Sequence, residues 1–303
     1  MFQVVYKSKL VVAMLFCMVF YPLAGQQNVV LDRANQLIKT NKISEAKKVL
    51  LQAYKKNDTP ALTERLGDVY GIEKAWDSAS FYYKKLVDAN PKNATYHYKY
   101  GGVLGVISLE NKMKALTLLG DVKEHFKLAC ELDDENLDAR WASIDLYLKL
   151  PGILGGSNEK AYQYAEELYA IVPIEGYMSK SYIEAERKNK ELAVVYAKRA
   201  LDVVAKNDIP DASYKREETH YQIGVLASTY NYQLKAGVKH LLIFEKLYTP
   251  ESIIPLSDVY YQLAKLYRLQ QEKEKATTYI EKAVKLMPNS KEILSEKKEI
   301  QKL

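Results

Sequence analysis

The chain has 303 residues, 48% apolar and 27% charged, with 44 basic against 38 acidic side chains and a formal charge of +6. That balance excludes a disordered chain, and only 9 Pro and 13 Gly argue against an all-β fold. The positive charge is small and dispersed, so it gives none of the clustered basic surface that nucleic acid requires.

The first 25 residues differ in kind from the rest. "MFQVVYKSK" carries Lys7 and Lys9 and no acid, "LVVAMLFCMVFYPL" is an apolar run of 14 residues, and Ala24 and Gly25 follow. This is the order of a secretory signal peptide. The run is shorter than the roughly 20 residues that span a bilayer. Residues 1–25 are therefore expected to be a signal peptide and 26–303 the mature chain, with no transmembrane span after cleavage. An uncleaved N-terminal anchor is the alternative. Cleavage would remove Lys7 and Lys9, lowering the charge from +6 to +4, and would remove Cys17. Cys130 is then the sole cysteine, so the exported chain would rely on its core rather than on a disulfide.

Beyond Gln26 a pattern recurs at helical spacing. Its first appearance starts at Ala34, with Ala46, Leu50 and Ala53 after it. The clearest statement is "ERLGDVYGIEKAWDSASFYYKKLVDANP", where Gly67 is followed by Ala79, Tyr83 and Pro91 at offsets of 12, 16 and 24 residues. A third unit shows only its second half, Val122, Phe126 and Ala129. It lies 21 residues beyond Gly101 where 12 are expected, which predicts longer helices there. In the fourth, Pro151 and the glycines of "KLPGILGGSNEKAYQYAEEL" predict a loop before a helix capped by Ser157 and carrying Ala161, Ala165 and Leu168, with Pro173 at its end. The fifth, around Tyr182, Ala193, Ala197 and Ala200, is about one residue out of step. Gly224 begins the sixth, with Ala236, His240 and Ile243. Ala264 begins the seventh, with Tyr267, Ala276, Ile280, Ala283 and Pro288. "NSKEILSEKKEIQKL" closes the chain with sparse apolar positions, Ile293, Leu294 and Ile300, as a one-sided capping helix would.

"RLGDVY" and "KATTYIEKAVKLMP" carry the resemblance: the chain resembles the tetratricopeptide repeat, a helix–turn–helix unit of about 34 residues. The resemblance implies an all-α, right-handed superhelical solenoid of about seven repeats with a C-terminal capping helix, irregular around 101–156. It implies that the small pairs Gly67 and Ala79, Gly224 and Ala236, Ala264 and Ala276 let paired helices cross closely, that Tyr83 fills the flank, and that Pro91 and Pro288 end second helices. It also implies that the side chain three residues before each crossing faces a concave groove. Those positions are Leu31, Glu64, Tyr98, Trp141, Tyr221 and Tyr261, four of them aromatic. The same rings could instead pack between repeats.

The sequence shows no nucleophile elbow, phosphate loop, dinucleotide fingerprint or zinc-protease motif. The "PGILGGS" loop precedes a helix but lacks the lysine of a phosphate loop, and reads as a connector. His97, His125, His220 and His240 lack metal-ligand spacing, and Cys130 beside Ala129 reads as a small packed residue. The expectation is a non-catalytic scaffold without cofactor or metal. It would bind a protein or peptide segment in its groove, in the periplasm, an outer-membrane-associated space or the medium, in association with an envelope complex. The alternative is a small-molecule or glycan binding component of an envelope transport system, with a pocket closed by the 101–122 insertion and the "PGILGG" loop.

Overall fold

The computed structural model describes residues 28–206 and 216–303, apart from the side chain of Lys112; the expected signal segment lies outside them. Regular structure among the described residues is entirely helical. The helices are α1 (28–39), α2 (Ile43–Tyr54), α3 (Pro60–Ile72), α4 (Trp76–Ala89), α5 (Ala94–Glu110), α6 (Lys112–Leu132), α7 (Leu137–Lys149) and α8 (Asn158–Ile171). There follow α9 (Pro173–Glu186), α10 (Lys190–Lys206), α11 (Glu217–Tyr230), α12 (Leu234–Leu247), α13 (Leu256–Leu269), α14 (Lys273–Leu286) and α15 (Lys291–Gln301). Odd-numbered helices up to α13 are first helices of hairpins and the even-numbered ones second helices. α15 stands alone as the cap, and the seven expected units are all present. The insertion after Gly101 is absorbed as helix length, 17 residues in α5 and 21 in α6.

Two compact units divide between Leu119 and Gly120, inside α6. In the first, Ala34, Ile38, Ala46, Leu50, Leu62, Leu66 and Val69 form one buried cluster. Ala79, Tyr83, Leu86, Val103 and Ile107 form another, joining α4 to α5. In the second unit a cluster about Ile144, Ala161, Ala165 and Ile183 is followed by a larger one running from Ile174 to Ile300. Each is a stack of hairpins in which a helix buries one stripe on its partner and another on the next hairpin. Local chemistry sets the starts of the helices. Thr59, Asn93, Asn136, Ser157 and Ser290 each accept a backbone N–H of the first turn, and Pro60 and Pro173 open α3 and α9.

The crossings follow the expected small residues in most units. A Cβ on Gly67 would stand 2.6 Å from Cε1 of Tyr83, and Ala79 is fully buried. In the fifth unit the crossing residue is Ser181, one place before Tyr182; it is buried and donates to the Ala193 carbonyl at 2.9 Å. The sixth unit corrects the sequence reading. The close partner of Gly224 is Leu241, whose Cγ would lie 2.3 Å from an added Cβ, and the small residue on α12 is Gly237. Ala236 and Ile243 are only partly buried, and Gly237, Leu241 and Phe244 form the core stripe beside the buried His240, because α11 continues one residue further past its crossing than α13 does. In the cap, Ile293 and Ile300 are buried while Leu294 is exposed; Glu296, paired to Arg268, takes the remaining inward place.

Cys130 is buried on α6, and desolvation pushes its thiol up to about 11. A disulfide-exchange reagent at about pH 8 is expected to modify it more than ~100-fold more slowly in the folded chain than in denaturant, because so little thiolate forms. Equal rates, read by absorbance of the released thiol, would contradict its burial.

Candidate partner-binding face

The predicted groove positions all lie on first helices, and the structure places each of them half-buried. In the first unit Glu64 of α3 does not stand free. Lys99 on α5 donates to Glu64 Oε1 and Asp68 Oδ1, both at 2.7 Å, and Tyr83 donates to Asp68 Oδ1 at 2.8 Å. Burial first, then Asp68, raises the Tyr83 phenol well above its usual range, so it remains a donor. Tyr98 lies one residue from Lys99 on the same helix and has a partner of its own. Spacing gave Glu64 as a groove position; what it lacked was the lysine that neutralises Glu64 and Asp68, placed 35 and 31 residues later.

The second unit holds the more developed constellation. Trp141 of α7 donates its indole N–H to Glu175 Oε2 of α9 at 2.6 Å. Arg216, the residue before α11, donates through Nε to Asp138 Oδ1 at 2.5 Å and through Nη1 to Glu175 Oε2 at 3.2 Å. Its guanidinium lies 5.6 Å from the Trp141 ring centroid, and Thr219 donates to the other oxygen of Glu175. Burial alone would lower the Arg216 guanidinium, but Glu175 and Asp138 outweigh it and hold it above its usual value. Tyr182, 6.3 Å from Trp141 between centroids, donates to Asp145 Oδ1 at 2.6 Å.

Further along the same face, Tyr221 of α11 and Tyr261 of α13 pack partly on the core beneath them. Burial, with Asp258 next, pushes the Tyr221 phenol up to about 12. Trp141, Tyr182, Tyr221 and Tyr261 thus mark four successive first helices of the second unit, with Asp138, Glu175, Glu218 and Asp258 in the first turns of those helices. Reading by spacing gave Trp141, Tyr221 and Tyr261 as groove positions and took Tyr182 for a crossing position of the fifth unit. It missed the acids and Arg216; the available signal was an acid in the first turn of each of these helices.

A second feature escaped the sequence. His220 and His240, both buried, meet Nδ1 to Nδ1 at 2.8 Å across α11 and α12, so one ring accepts while the other donates. Their separation in sequence, 20 residues, is the offset between facing positions of a hairpin. No group of three or more potential metal ligands occurs among the described residues.

The "PGILGG" stretch is a one-turn 3-10 helix at Gly152–Leu154, with Gly155 left-handed at φ 85°. Its Leu154 carbonyl accepts from Lys123 Nζ at 2.5 Å, and a Cβ on Gly156 would lie 1.8 Å from the Leu150 carbonyl oxygen, so glycine is required for the chain to pass. A cleft of about 560 Å³ lies in the first unit, between the α3–α4 turn and the α5–α6 turn. Trp76 donates to Glu110 at 2.9 Å and Lys114 to Asp77 at 3.0 Å there. Its lining contains no residue of the "PGILGG" loop.

Residues 257–290 match the family model described as "Tetratricopeptide repeat". Among solved structures, the chain is similar to a tetratricopeptide repeat protein from Parabacteroides merdae, at 15% identity over 90% of this chain and 98% of that one, with a TM-score of 0.49. It is also similar to human IFIT1, solved as a dimer with PPP-AAAA, at 17% identity over 85% of this chain and 54% of that one, with a TM-score of 0.51. A third is the thermophilic TPR protein TTC0263 of Thermus thermophilus, at 14% identity over 66% and 97%, with a TM-score of 0.49. No curated protein matches the chain.

Proposed function

We propose, from the premise that this chain is a tetratricopeptide-repeat protein with its clearest repeat at residues 257–290, that it is a non-catalytic scaffold docking an extended protein segment along its first helices, outside the cytoplasm. The observation that carries the reading is the row of rings Trp141, Tyr182, Tyr221 and Tyr261 on successive first helices, braced by hydrogen bonds that cross from helix to helix. Rigid amphipathic rings lose little entropy on contact and present both an apolar body and a polar tip. A preformed face of this sort binds without first having to order itself. The signal-like segment 1–25 supports export; no described helix is long and apolar enough to cross a membrane.

A photo-crosslinking residue tests the docking. Placed at Tyr261 in the native host, it is expected to form a discrete adduct with one other chain, while the same residue at the exposed second-helix position Leu192 forms none. Equal adducts from both positions, or none from Tyr261, would remove the reading. Edman sequencing of the same preparation is expected to begin near Gln26.

A further inference from the structure

Taking the first-helix face of the second unit as the docking surface, which rests on the function proposed above, the geometry points to an arginine- or lysine-bearing extended segment as its partner, with a cationic head beside Glu218 and Asp258 and its stem on Tyr221 and Tyr261.

The face already holds one guanidinium of its own. Arg216 lies over Trp141 and bonds Asp138 and Glu175, so the α7–α9 half shows what an acid pair plus an indole ring accommodates. A planar cation on an aromatic face with carboxylates at its edge is favoured by both the ring quadrupole and the fork of N–H donors. The α11–α13 half repeats the ingredients: Glu218 and Asp258 in the first turns, and Tyr221 within electrostatic reach of both Asp258 and Tyr261. Its cation is not supplied in the same way. Glu218 and Asp258 form no ion pair among the described residues, whereas Asp138 and Glu175 share Arg216.

Helix dipoles alone favour acids in first turns, but α3 and α5 of the first unit have none there. The ladder of acids belongs to the second unit, where the rings also cluster. Desolvation raises the Glu218 carboxyl against a backbone hydrogen bond and Arg216, which lower it, with Asp138 and Glu217 adding smaller upward contributions. An arriving cation would offset that burial. Lys265 on α13 and Arg268, which Glu296 already pairs, are positive charges further along the same helix.

The test uses the full chain and three fluorescein-labelled peptides of roughly ten residues, in which arginine, glutamate or glutamine alternates with serine; anisotropy reads binding. The arginine peptide is expected to bind at least tenfold more tightly than the other two, and more weakly as salt rises from about 50 to about 300 mM. Glu218→Gln with Asp258→Asn is expected to weaken it about tenfold or more while the thermal transition followed by circular dichroism stays in place. Arginine-peptide binding that the double variant retains would overturn the inference, as would no preference among peptides. If instead the glutamine or glutamate peptide binds best and Tyr261→Ala abolishes it, the cationic partner is wrong and the docking face survives. If no peptide binds and the Tyr261 crosslinker also forms no adduct, both fall together.

Discussion

Arg216→Met is expected to destabilise the second unit by about 3 kcal/mol, among the largest effects of any single side-chain removal on this face. The reason is what it leaves behind. Glu175 is 1% exposed, and without the guanidinium its charge keeps only the Trp141 indole and the Thr219 hydroxyl. Asp138, on the rim, can turn to water. Methionine preserves much of the apolar stem over Trp141, so the loss reports charge more than volume. The control follows from the same logic. Adding Glu175→Gln removes the stranded charge, keeps an acceptor for the Trp141 indole and lets the Thr219 hydroxyl turn to accept from the amide, and is expected to restore roughly half of the loss. Urea unfolding of the two single variants, the double variant and the parent measures it. A double variant no more stable than Arg216→Met would mean that the pairing is incidental to the fold.

Gly176→Ala is expected to cost about 3 kcal/mol and Gly71→Ala to gain up to about 1 kcal/mol, although both glycines are helical. At Gly176 the added carbon would stand 2.3 Å from Cβ, 2.4 Å from Cα and 2.7 Å from N of Tyr169. Those atoms are mostly backbone, and they cannot swing aside. The crowding comes from the joint: Val172 alone separates α8 from α9, so α9 turns back at once against the end of α8. At Gly71 nothing lies within 4 Å, and only the backbone entropy of glycine is at stake. Opposite shifts of the thermal midpoint are the expected readout, several degrees down and one or two up for a chain of this size. Two variants shifting alike would show that α8 and α9 can separate without loss.

The hairpins were legible because a small residue at a crossing recurs at a nearly constant offset, which the alternation of helix and turn enforces. Gly67, Ala264 and their partners fall where spacing put them. The sixth unit slipped by one because a helix can lengthen by a residue without any change in composition, and spacing alone cannot see where α11 stops. Tyr182 passed for a crossing position, but the other rings of the face were legible for the same periodic reason. Their polar partners were not: Glu175 is contributed by a first helix whose crossing residue is Ser181, a polar residue that hides the unit from a search for Gly or Ala. Arg216 precedes its helix and lies 78 residues from Asp138, so no local pattern joins them. The histidine pair is another case, since each imidazole sits on a different helix and only the packed hairpin brings them together.

That 78-residue span has a kinetic consequence. Ties between helices here commonly close loops of about 40 residues or fewer, such as Lys99 with Glu64, Tyr182 with Asp145 and Ser228 with Gln262. A chain wired in this way can assemble hairpin by hairpin as it emerges from a narrow exit, each piece finding its neighbour soon after release. The Arg216–Asp138 link is the late latch in that sequence: it can shut only after the fourth and fifth hairpins are stacked and the sixth has begun, and so it marks completion of the middle of the second unit.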